Sequence, residues 1–323
     1  MPPPLRRLLF LLLVLIALAL ASAAAAGNGG IAPPDPASPD AASIRGMYWL
    51  ILGITGGIFV LVEGALILFV VRYRSRGRPR EVEGPQIRGH TNLELAWTAG
   101  PVVILAIIAA FVFFKVSSTE ESSAAGVEVI RVEGHQFYWE FIYPDGTTAV
   151  DHLRLPYNRV VRLRIIGDDV NHSWWVPALG GKLDAIPGKK NTMTFTPSKL
   201  GTFRGQCAEF CGVQHAAMIA RVDVLPQAEY DAWLRERRSS PLALGKETFV
   251  GVCAKCHGLA GQGDIGPAIA QSPVLQDRKA LTTLLHEGTG SMPAVGKTWN
   301  DTQLNALIEY LGQRFKQGGG SGG

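Results

Sequence analysis

The four cysteines of this chain fall into two short motifs, and these constrain the fold more than any other feature. Cys253-Ala-Lys-Cys256-His257 is the C-x-x-C-H pattern by which a c-type haem is covalently attached. Two thioethers anchor the vinyl groups, and the adjacent histidine supplies an axial imidazole. The segment around residue 253 must therefore fold around a large planar group. Because both motifs use their cysteines for ligation, we expect no disulfide framework.

The second motif places Cys207, Cys211, His215 and Met218 within twelve residues. This soft set of nitrogen and sulfur donors suits copper or zinc, and the thioether favours copper over structural zinc. Four ligands on one short loop are crowded, so a further ligand is expected from elsewhere. His172, beside two tryptophans, is the leading candidate. Taken singly, the cysteine pair could bind zinc or be structural thiols, His172 could be a packed, hydrogen-bonded histidine, and Met218 could be a core residue. The joint pattern favours copper.

Two apolar runs, residues 47–71 and 97–116, are each long enough to cross a bilayer, which takes about 20 residues. The arginine-rich loop between them, residues 72–96, is expected to stay cytoplasmic. Everything after residue 116 then lies outside, in the periplasm of a diderm bacterium. The prediction is a multi-pass protein of the bacterial plasma membrane with extracytoplasmic copper and haem domains. The net charge of only +4 gives no electrostatic footprint for nucleic acid.

The N-terminal 27 residues have the pattern of a secretory signal peptide: two arginines, an apolar run and a small-residue cleavage site. The alternative is a retained membrane helix. Residues 28–46, rich in proline, are predicted to form an exposed extracytoplasmic lead-in. At the other end, residues 318–323 form a flexible glycine-rich tail.

Alternating apolar residues from 127 to 226, broken by Pro, Gly and Asp turns, predict a small β-barrel or sandwich. Residues 227–241 are predicted as a linker, helical from 229 to 238 and open near Ser239. Helices return from 242 to 317, and the last, 303–315, has Asn300 or Asp301 available as a cap. The expected fold class is a membrane-anchored multidomain chain with two transmembrane helices, an all-β domain and an all-α domain.

The copper motif, C-x-E-x-C-x-x-x-H-x-x-M after an upstream His-Ser-Trp, resembles the dinuclear copper (CuA) centre of cytochrome c oxidase subunit II. In that family two membrane helices precede a cupredoxin-like barrel. The resemblance implies two bridging thiolates, one histidine on each copper, a weak thioether ligand and a backbone carbonyl ligand. The thiolates are Cys207 and Cys211, and the histidines are His172 and His215. The thioether is Met218, and the carbonyl is that of Glu209. It also implies that the Glu209 carboxylate reaches a magnesium ion shared with the catalytic subunit.

The C-x-x-C-H segment, with Gly266-Pro267 after it and Ser291-Met292-Pro293 before a terminal helix, resembles a class I cytochrome c over residues 242–317. The resemblance implies that Cys253 and Cys256 hold the haem, with His257 proximal and Met292 distal. Methionine–histidine ligation fills both axial positions, as electron transfer requires. His286 is a rival distal ligand.

Two other segments carry the resemblance further. Glu94 stands where the family has an acid at the mouth of a proton channel leading into the catalytic subunit, and the alternative is an ordinary interfacial carboxylate. In Gly134-His135-Gln136-Phe137, phenylalanine replaces the tryptophan by which the family usually receives electrons from a separate cytochrome c. That departure puts the usual route into the copper centre in doubt.

As a whole, the chain resembles subunit II of a caa-type cytochrome c oxidase with a cytochrome c fused at its C-terminus. This implies electron flow from an external donor through haem c and CuA to haem a of subunit I, where oxygen is reduced to water and protons are translocated. The implied partners are subunit I, subunit III, a donor such as cytochrome c, and membrane lipid. The alternatives are a CuA-containing nitric oxide reductase subunit and a free-standing membrane electron carrier.

Overall fold

A computed structural model describes residues 32–74, 84, 86–116 and 127–316. The predicted signal peptide, residues 75–83 and 85 of the basic loop, and the glycine-rich tail lie outside the described residues. The chain divides into two compact units. One contains the apolar helices from Ser43 to Ser122, and the other contains Pro33–Ala42 together with the chain from Ser123 onward.

The two apolar segments form long helices, α1 (Pro39–Tyr73) and α2 (Thr91–Val116). Both are long and apolar enough to cross a membrane. Each helix begins before the predicted apolar run, since a capped polar turn extends it. At the start of α1, the Ser38 hydroxyl accepts a hydrogen bond from the Ala41 N–H at 3.0 Å, and Pro39 occupies the first helical position.

The predicted exposed lead-in is wrong for its second half. Ala37, Ser38 and Ala41 are buried. The Ala37 N–H donates to the Ala178 carbonyl at 2.7 Å, and the Ser38 hydroxyl donates to the Leu179 carbonyl at 2.7 Å. Small side chains allow the backbone to approach the β domain this closely, and composition alone did not reveal it.

Residues 128–225 form ten strands in two five-stranded sheets. The strands are β1 (Glu128–His135), β2 (Tyr138–Ile142), β3 (Thr148–Val150), β4 (His152–Pro156), β5 (Val161–Gly167), β6 (His172–Trp175), β7 (Leu183–Ala185), β8 (Asn191–Phe195), β9 (Gly201–Cys207) and β10 (Ile219–Leu225). The first sheet has the order β3-β2-β1-β5-β8 and the second β4-β10-β9-β6-β7. The predicted β domain is confirmed.

The core of this domain lies between the sheets, where inward-facing residues alternate with outward-facing ones. Trp174 contacts Trp139 and Phe141 edge-to-face, with centroids 5.2 and 5.5 Å apart. Each such pair adds roughly 1 kcal/mol beyond area burial. These rings lie directly behind the start of β6 and make a rigid, dry wall there.

Helices follow the last strand: α3 (Gln227–Ser239), α4 (Pro241–Thr248), a π-helical turn (Phe249–Cys253), α5 (Ala254–His257), α6 (Arg278–Glu287) and α7 (Asp301–Lys316). The helix expected within residues 227–241 is present, but the open linker is not, since only Ser240 separates α3 from α4. Buried Tyr230 holds α3 against the β core. At the start of α7, Asn300 Oδ1 accepts from the Gln303 N–H at 3.0 Å, as the capping prediction required.

The helical domain packs directly on the β domain. Tyr138 belongs to the same buried cluster as Trp299 and Leu307. Its hydroxyl donates to the Val295 carbonyl at 2.8 Å and accepts from Trp299 Nε1 at 3.0 Å. Lys255, inside the C-x-x-C-H motif, donates to the Phe137 carbonyl at 2.8 Å and forms an ion pair with the Asp151 carboxylate.

Candidate copper and haem centres

The loop between β9 and β10 brings together the donor atoms of the first motif. The two thiol sulfurs of Cys207 and Cys211 are 4.0 Å apart. His172 Nδ1 lies 3.9 Å from the first sulfur, and His215 Nδ1 lies 3.5 Å from the second. The Met218 sulfur is 3.8 Å from Cys211 Sγ. All five side chains predicted from sequence therefore converge, although 46 residues separate the first from the last.

Strand pairing explains the convergence. β6 and β9 are antiparallel neighbours with Trp174 opposite Cys207, which places His172 beside the cysteine at the strand end. The Cys207 N–H donates to the Met218 carbonyl at 2.9 Å and closes the loop. Within the loop Gly212 has a φ of +133°, and a Cβ there would lie 2.9 Å from the Phe137 ring. Glycine is thus required both for the turn and for the ring above it.

Asp169 supports the site, and sequence reasoning did not select it. Its carboxylate accepts from His172 Nε2 at 2.8 Å and from the Gln136 N–H at 2.6 Å. The hydrogen bond at Nε2 leaves Nδ1 free to bind a metal, the arrangement typical of metal-ligating histidines. Asp169 lies three residues before His172, and this short spacing is the feature of the sequence that could have identified it.

The metal-free thiols differ in their acidity. Burial opposes ionisation of Cys207, but the hydrogen bond and charge of His172 together with backbone hydrogen bonds at Glu209 and Ser173 outweigh it and lower the pKa of this thiol to about 7. Burial, reinforced by the neighbouring Cys207 charge, raises the pKa of Cys211 to about 12. One thiolate is therefore favoured next to one thiol, and binding of a soft metal would release the remaining proton.

The donor set fits copper. Two thiols, two imidazoles and a thioether surround one spot, and His172, Cys207 and Cys211 are buried there. Sulfur–sulfur and sulfur–nitrogen distances of 3.5–4.0 Å leave room for metal–ligand bonds between them. The Glu209 carbonyl lies 3.2 Å from Cys207 Sγ, at the edge of this donor set.

The Glu209 carboxylate points to the surface, not into this cluster. It lies 3.6 Å from Lys182 Nζ, which also pairs with Asp184 at 3.1 Å. An ammonium group thus occupies the space between two carboxylates. Magnesium at Glu209 stays a prediction that depends on ligands from another subunit.

The second motif lines an apolar cavity. Cys253, Cys256 and His257 contribute to one part of its wall, and Met292 contributes to another. His257 Nδ1 hydrogen-bonds to the Pro267 carbonyl at 2.7 Å, which fixes the tautomer with Nε2 free for a metal. These residues fit a covalently attached haem. The rival His286 is not among the lining residues, and its buried Nε2 has no hydrogen-bond partner.

The β domain also lines this cavity, through Gln136, Phe137, Val213 and Gln214. Two of these belong to the copper loop and two to the turn after β1. Val213, which lines the cavity, is therefore only two residues after Cys211 in the chain. Sequence reasoning singled out Phe137 as a departure but did not place it here.

Glu94 lies in the first turn of α2, where its carboxylate accepts from the His90 N–H at 3.1 Å. This contact caps the helix start. It favours the structural reading of Glu94 and leaves the proton-channel reading a prediction.

Fold and site together define a membrane-anchored redox protein in which a soft-metal loop on a β domain faces a haem-type cavity on a helical domain. Three family models match it in succession. Residues 26–115 match the transmembrane domain of cytochrome c oxidase subunit II, and residues 147–225 match its periplasmic domain. Residues 240–311 match subunit III of the cbb3-type cytochrome c oxidase.

Curated proteins with the name of this subunit are similar over most of the chain. Cytochrome c oxidase subunit 2 of Alkalihalophilus pseudofirmus is 35% identical over 88% of this chain and 82% of that protein. The same subunit of Cereibacter sphaeroides is 30% identical over 67% of this chain and 83% of that protein. The crystal structure of the periplasmic domain of subunit II (CoxB) from Bradyrhizobium japonicum covers 37% of this chain and 98% of its own, with 32% identity and a TM-score of 0.35.

The chain belongs to the cytochrome c oxidase subunit II family, with a cytochrome c domain fused after the copper domain. This membership makes it part of a haem-copper oxidase complex, and it implies CuA copper and haem c. The matched transmembrane and periplasmic domains also support membrane anchoring with periplasmic domains. Among the described residues two helices are candidates for the membrane anchor, so the predicted "multi-pass" topology amounts to two candidate spans.

Proposed function

We propose that this chain receives electrons for a respiratory haem-copper oxidase. Electrons pass from an external donor such as cytochrome c to the chain's own haem c, then to a dinuclear copper centre, then to haem a of subunit I. Oxygen is reduced to water in that partner, with protons translocated. One observation carries the proposal. Val213 and Gln214 of the copper loop, with the neighbouring Phe137, line the same cavity as the C-x-x-C-H motif.

Within this proposal Cys207, Cys211, His172 and His215 would hold the dinuclear copper, with Met218 and the Glu209 carbonyl as weak ligands. Bound copper would supply a one-electron couple to a site whose Cys207, Cys211 and His172 side chains are buried. Cys253 and Cys256 would hold the haem covalently, with His257 and Met292 as the ligands of its iron. This ligation favours electron transfer over oxygen binding.

Gln136 and Phe137 connect the two centres. Gln136 Nε2 donates to the Cys211 carbonyl at 2.5 Å, and the Phe137 ring packs against Gly212, the next residue. An electron leaving the haem cavity therefore meets one aromatic ring and one hydrogen bond before a copper ligand. Phenylalanine suffices at position 137 because its ring already lines the cavity of the haem that donates the electron.

The opposite side of the copper loop is the proposed contact with subunit I. Phe210 is 78% exposed, and its ring centroid lies 5.8 Å from that of His215. Large exposed apolar side chains next to a redox centre are typical of interaction sites. Magnesium at Glu209, proton uptake at Glu94, and contact with subunit III belong to this proposal as properties of the assembled complex.

The test compares two phenylalanines on either side of the loop. In the purified complex the haem is reduced by a light pulse, and the copper and haem a absorptions are followed in time. Phe137→Leu should slow transfer from haem c to copper and leave copper to haem a unchanged. Phe210→Leu is the matched control and should do the reverse. Equal rates of haem-to-copper transfer in both variants and the parent would contradict the route.

A further inference from the structure

A second cluster of metal-type side chains lies in the β domain, apart from the copper loop. Glu133, His135 and Glu140 each direct one ligand atom to the same spot, with all three atoms within 4.8 Å of one another. Glu133 and Glu140 are direct cross-strand partners of β1 and β2. Like charges opposite one another destabilise a sheet, and burial increases the cost, so a bound cation or a bound proton must offset this pair.

Each carboxylate has one oxygen engaged and one left over. Glu133 Oε1 accepts from Arg131 Nε at 2.9 Å. Glu140 Oε1 accepts at 3.0 Å from the Gln303 amide, oriented so that its nitrogen faces the carboxylate. The remaining oxygens, both Oε2, lie 3.8 and 3.6 Å from His135 Nε2.

His135 is the independent sign of a ligand. Its side chain is only 6% exposed, and Nε2 has no hydrogen-bond partner although it faces two carboxylates. Distances of 3.6–3.8 Å are too long for hydrogen bonds. They are close to the roughly 3.4 Å that separates neighbouring ligands of a tetrahedral zinc ion with bonds near 2.1 Å.

The surroundings also match a metal site. His135 Nδ1 lies 3.5 Å from Asp168 Oδ2, the carboxylate–histidine contact that orients metal-binding imidazoles. The Glu133 side chain is 16% exposed, which leaves a side open for metal access and a water ligand.

We propose that Glu133, His135 and Glu140 bind a zinc ion, or a divalent cation of similar preference, where the β domain meets the cytochrome domain. Imidazole with carboxylates suits zinc better than magnesium or calcium. Because Gln303 belongs to α7 and holds Glu140, the ion would tie the two domains together. This site is separate from the copper loop and does not depend on the proposed electron route.

The test uses the full-length chain in detergent, loaded with haem and copper and then washed with a chelator. Zinc sulfate is titrated in, bound zinc is measured after gel filtration, and the zinc X-ray absorption edge is recorded. We expect one zinc per chain with nitrogen and oxygen ligands at about 2.0–2.1 Å and no sulfur near 2.3 Å. Zinc should also raise the thermal midpoint of unfolding.

Glu133→Gln and Glu140→Gln should abolish this zinc, and Asp168→Asn should weaken it about 10–100-fold. Glu128→Gln, on the same strand but bonded to Tyr230, is the matched control and should bind zinc normally. If Glu140→Gln does not fold, the partly exposed Glu133 variant decides the question. A sulfur shell, unchanged affinity in Glu133→Gln, or no zinc uptake would overturn the proposal; the last outcome would make protonated His135 the cation.

Discussion

At the scale of single residues, the copper site depends on side chains that are not ligands. Asp169 holds His172 by Nε2 and is itself held by backbone N–H groups, including that of Val170 at 2.6 Å. These bonds outweigh the effect of burial and lower the pKa of Asp169, so the carboxylate stays charged. A charged partner fixes the imidazole and increases its basicity toward a metal.

Asp169→Asn should therefore weaken copper binding by about 10–100-fold without removing a ligand. Copper content and the electron paramagnetic resonance spectrum of the full chain measure this. Two coppers sharing one unpaired electron should give a multi-line mixed-valence signal in the parent. Asp223→Asn, which removes a similar contact to His152 at 2.6 Å, is the control. Equal copper affinity in both variants would contradict the role of Asp169.

Met292 and His286 make opposite predictions for the haem. Met292→Ala should abolish the sulfur-to-iron absorption of the oxidised haem and lower its reduction potential, because the thioether favours the reduced state. His286→Ala should change neither property. The reverse pattern in the two spectra would transfer the distal ligation to His286.

His152 gives a pH dependence. Burial, together with the nearby Arg154 charge, lowers its pKa from 6.5 to about 4. Below pH 6.5 His152 binds a proton in the unfolded chain but not in the folded chain. The free energy of unfolding should therefore fall as the pH drops from about 6.5 to about 4. The loss is at most about 3 kcal/mol. His152→Gln should flatten this part of the curve of unfolding midpoint against pH, and an unchanged slope would assign it to other groups.

At the scale of elements, the contact between β3–β4 and the helix carrying the cysteines sets the geometry of the two centres. The Lys255–Asp151 pair lies at this contact, with side chains only 16% and 18% exposed. Burial raises the pKa of Asp151 to about 6 despite the opposing effect of Lys255. The ion pair is therefore needed to keep a buried carboxylate charged at neutral pH.

Removing one partner should destabilise this contact by about 3 kcal/mol, because it leaves the other charge buried and unpaired. We expect Lys255→Gln and Asp151→Asn each to lower the thermal midpoint of the haem domain, and the double variant to cost less than their sum. The exposed Lys182–Asp184 pair serves as control and should show no measurable coupling. Additive effects at Lys255 and Asp151 would mean that the pair is not coupled.

At the scale of the whole molecule, the docked cytochrome domain replaces the open linker predicted near Ser239. Shared burial of Tyr138 and Trp299 and the short link at Ser240 hold the haem cavity against the copper loop. A fixed distance makes transfer between the centres independent of the effective concentration that a flexible linker would provide.

Loss of the haem should therefore stop electron delivery while copper stays bound. Removing residues 242–323 would expose Tyr138 and Val150, so the cleaner change is Cys253→Ser with Cys256→Ser in the full chain. Copper content should be unchanged, and oxidation of external cytochrome c by the complex should fall sharply. A steady-state rate equal to that of the parent would show that cytochrome c delivers electrons directly to the copper domain.

The sequence by itself determined the two apolar helices and the order of β and helical domains, and it predicted the residues of both ligand motifs. Motif spacing and hydrophobic period are local properties, and they were sufficient for Cys207 to Met218, for Cys253 to His257, and for the cap at Asn300. Tertiary structure alone decided what lies across strands and domains: Asp169 behind His172, Phe137 against Gly212, and Glu140 opposite Glu133. Those contacts join residues far apart in sequence, and strand register and domain packing fix them, which no local pattern encodes.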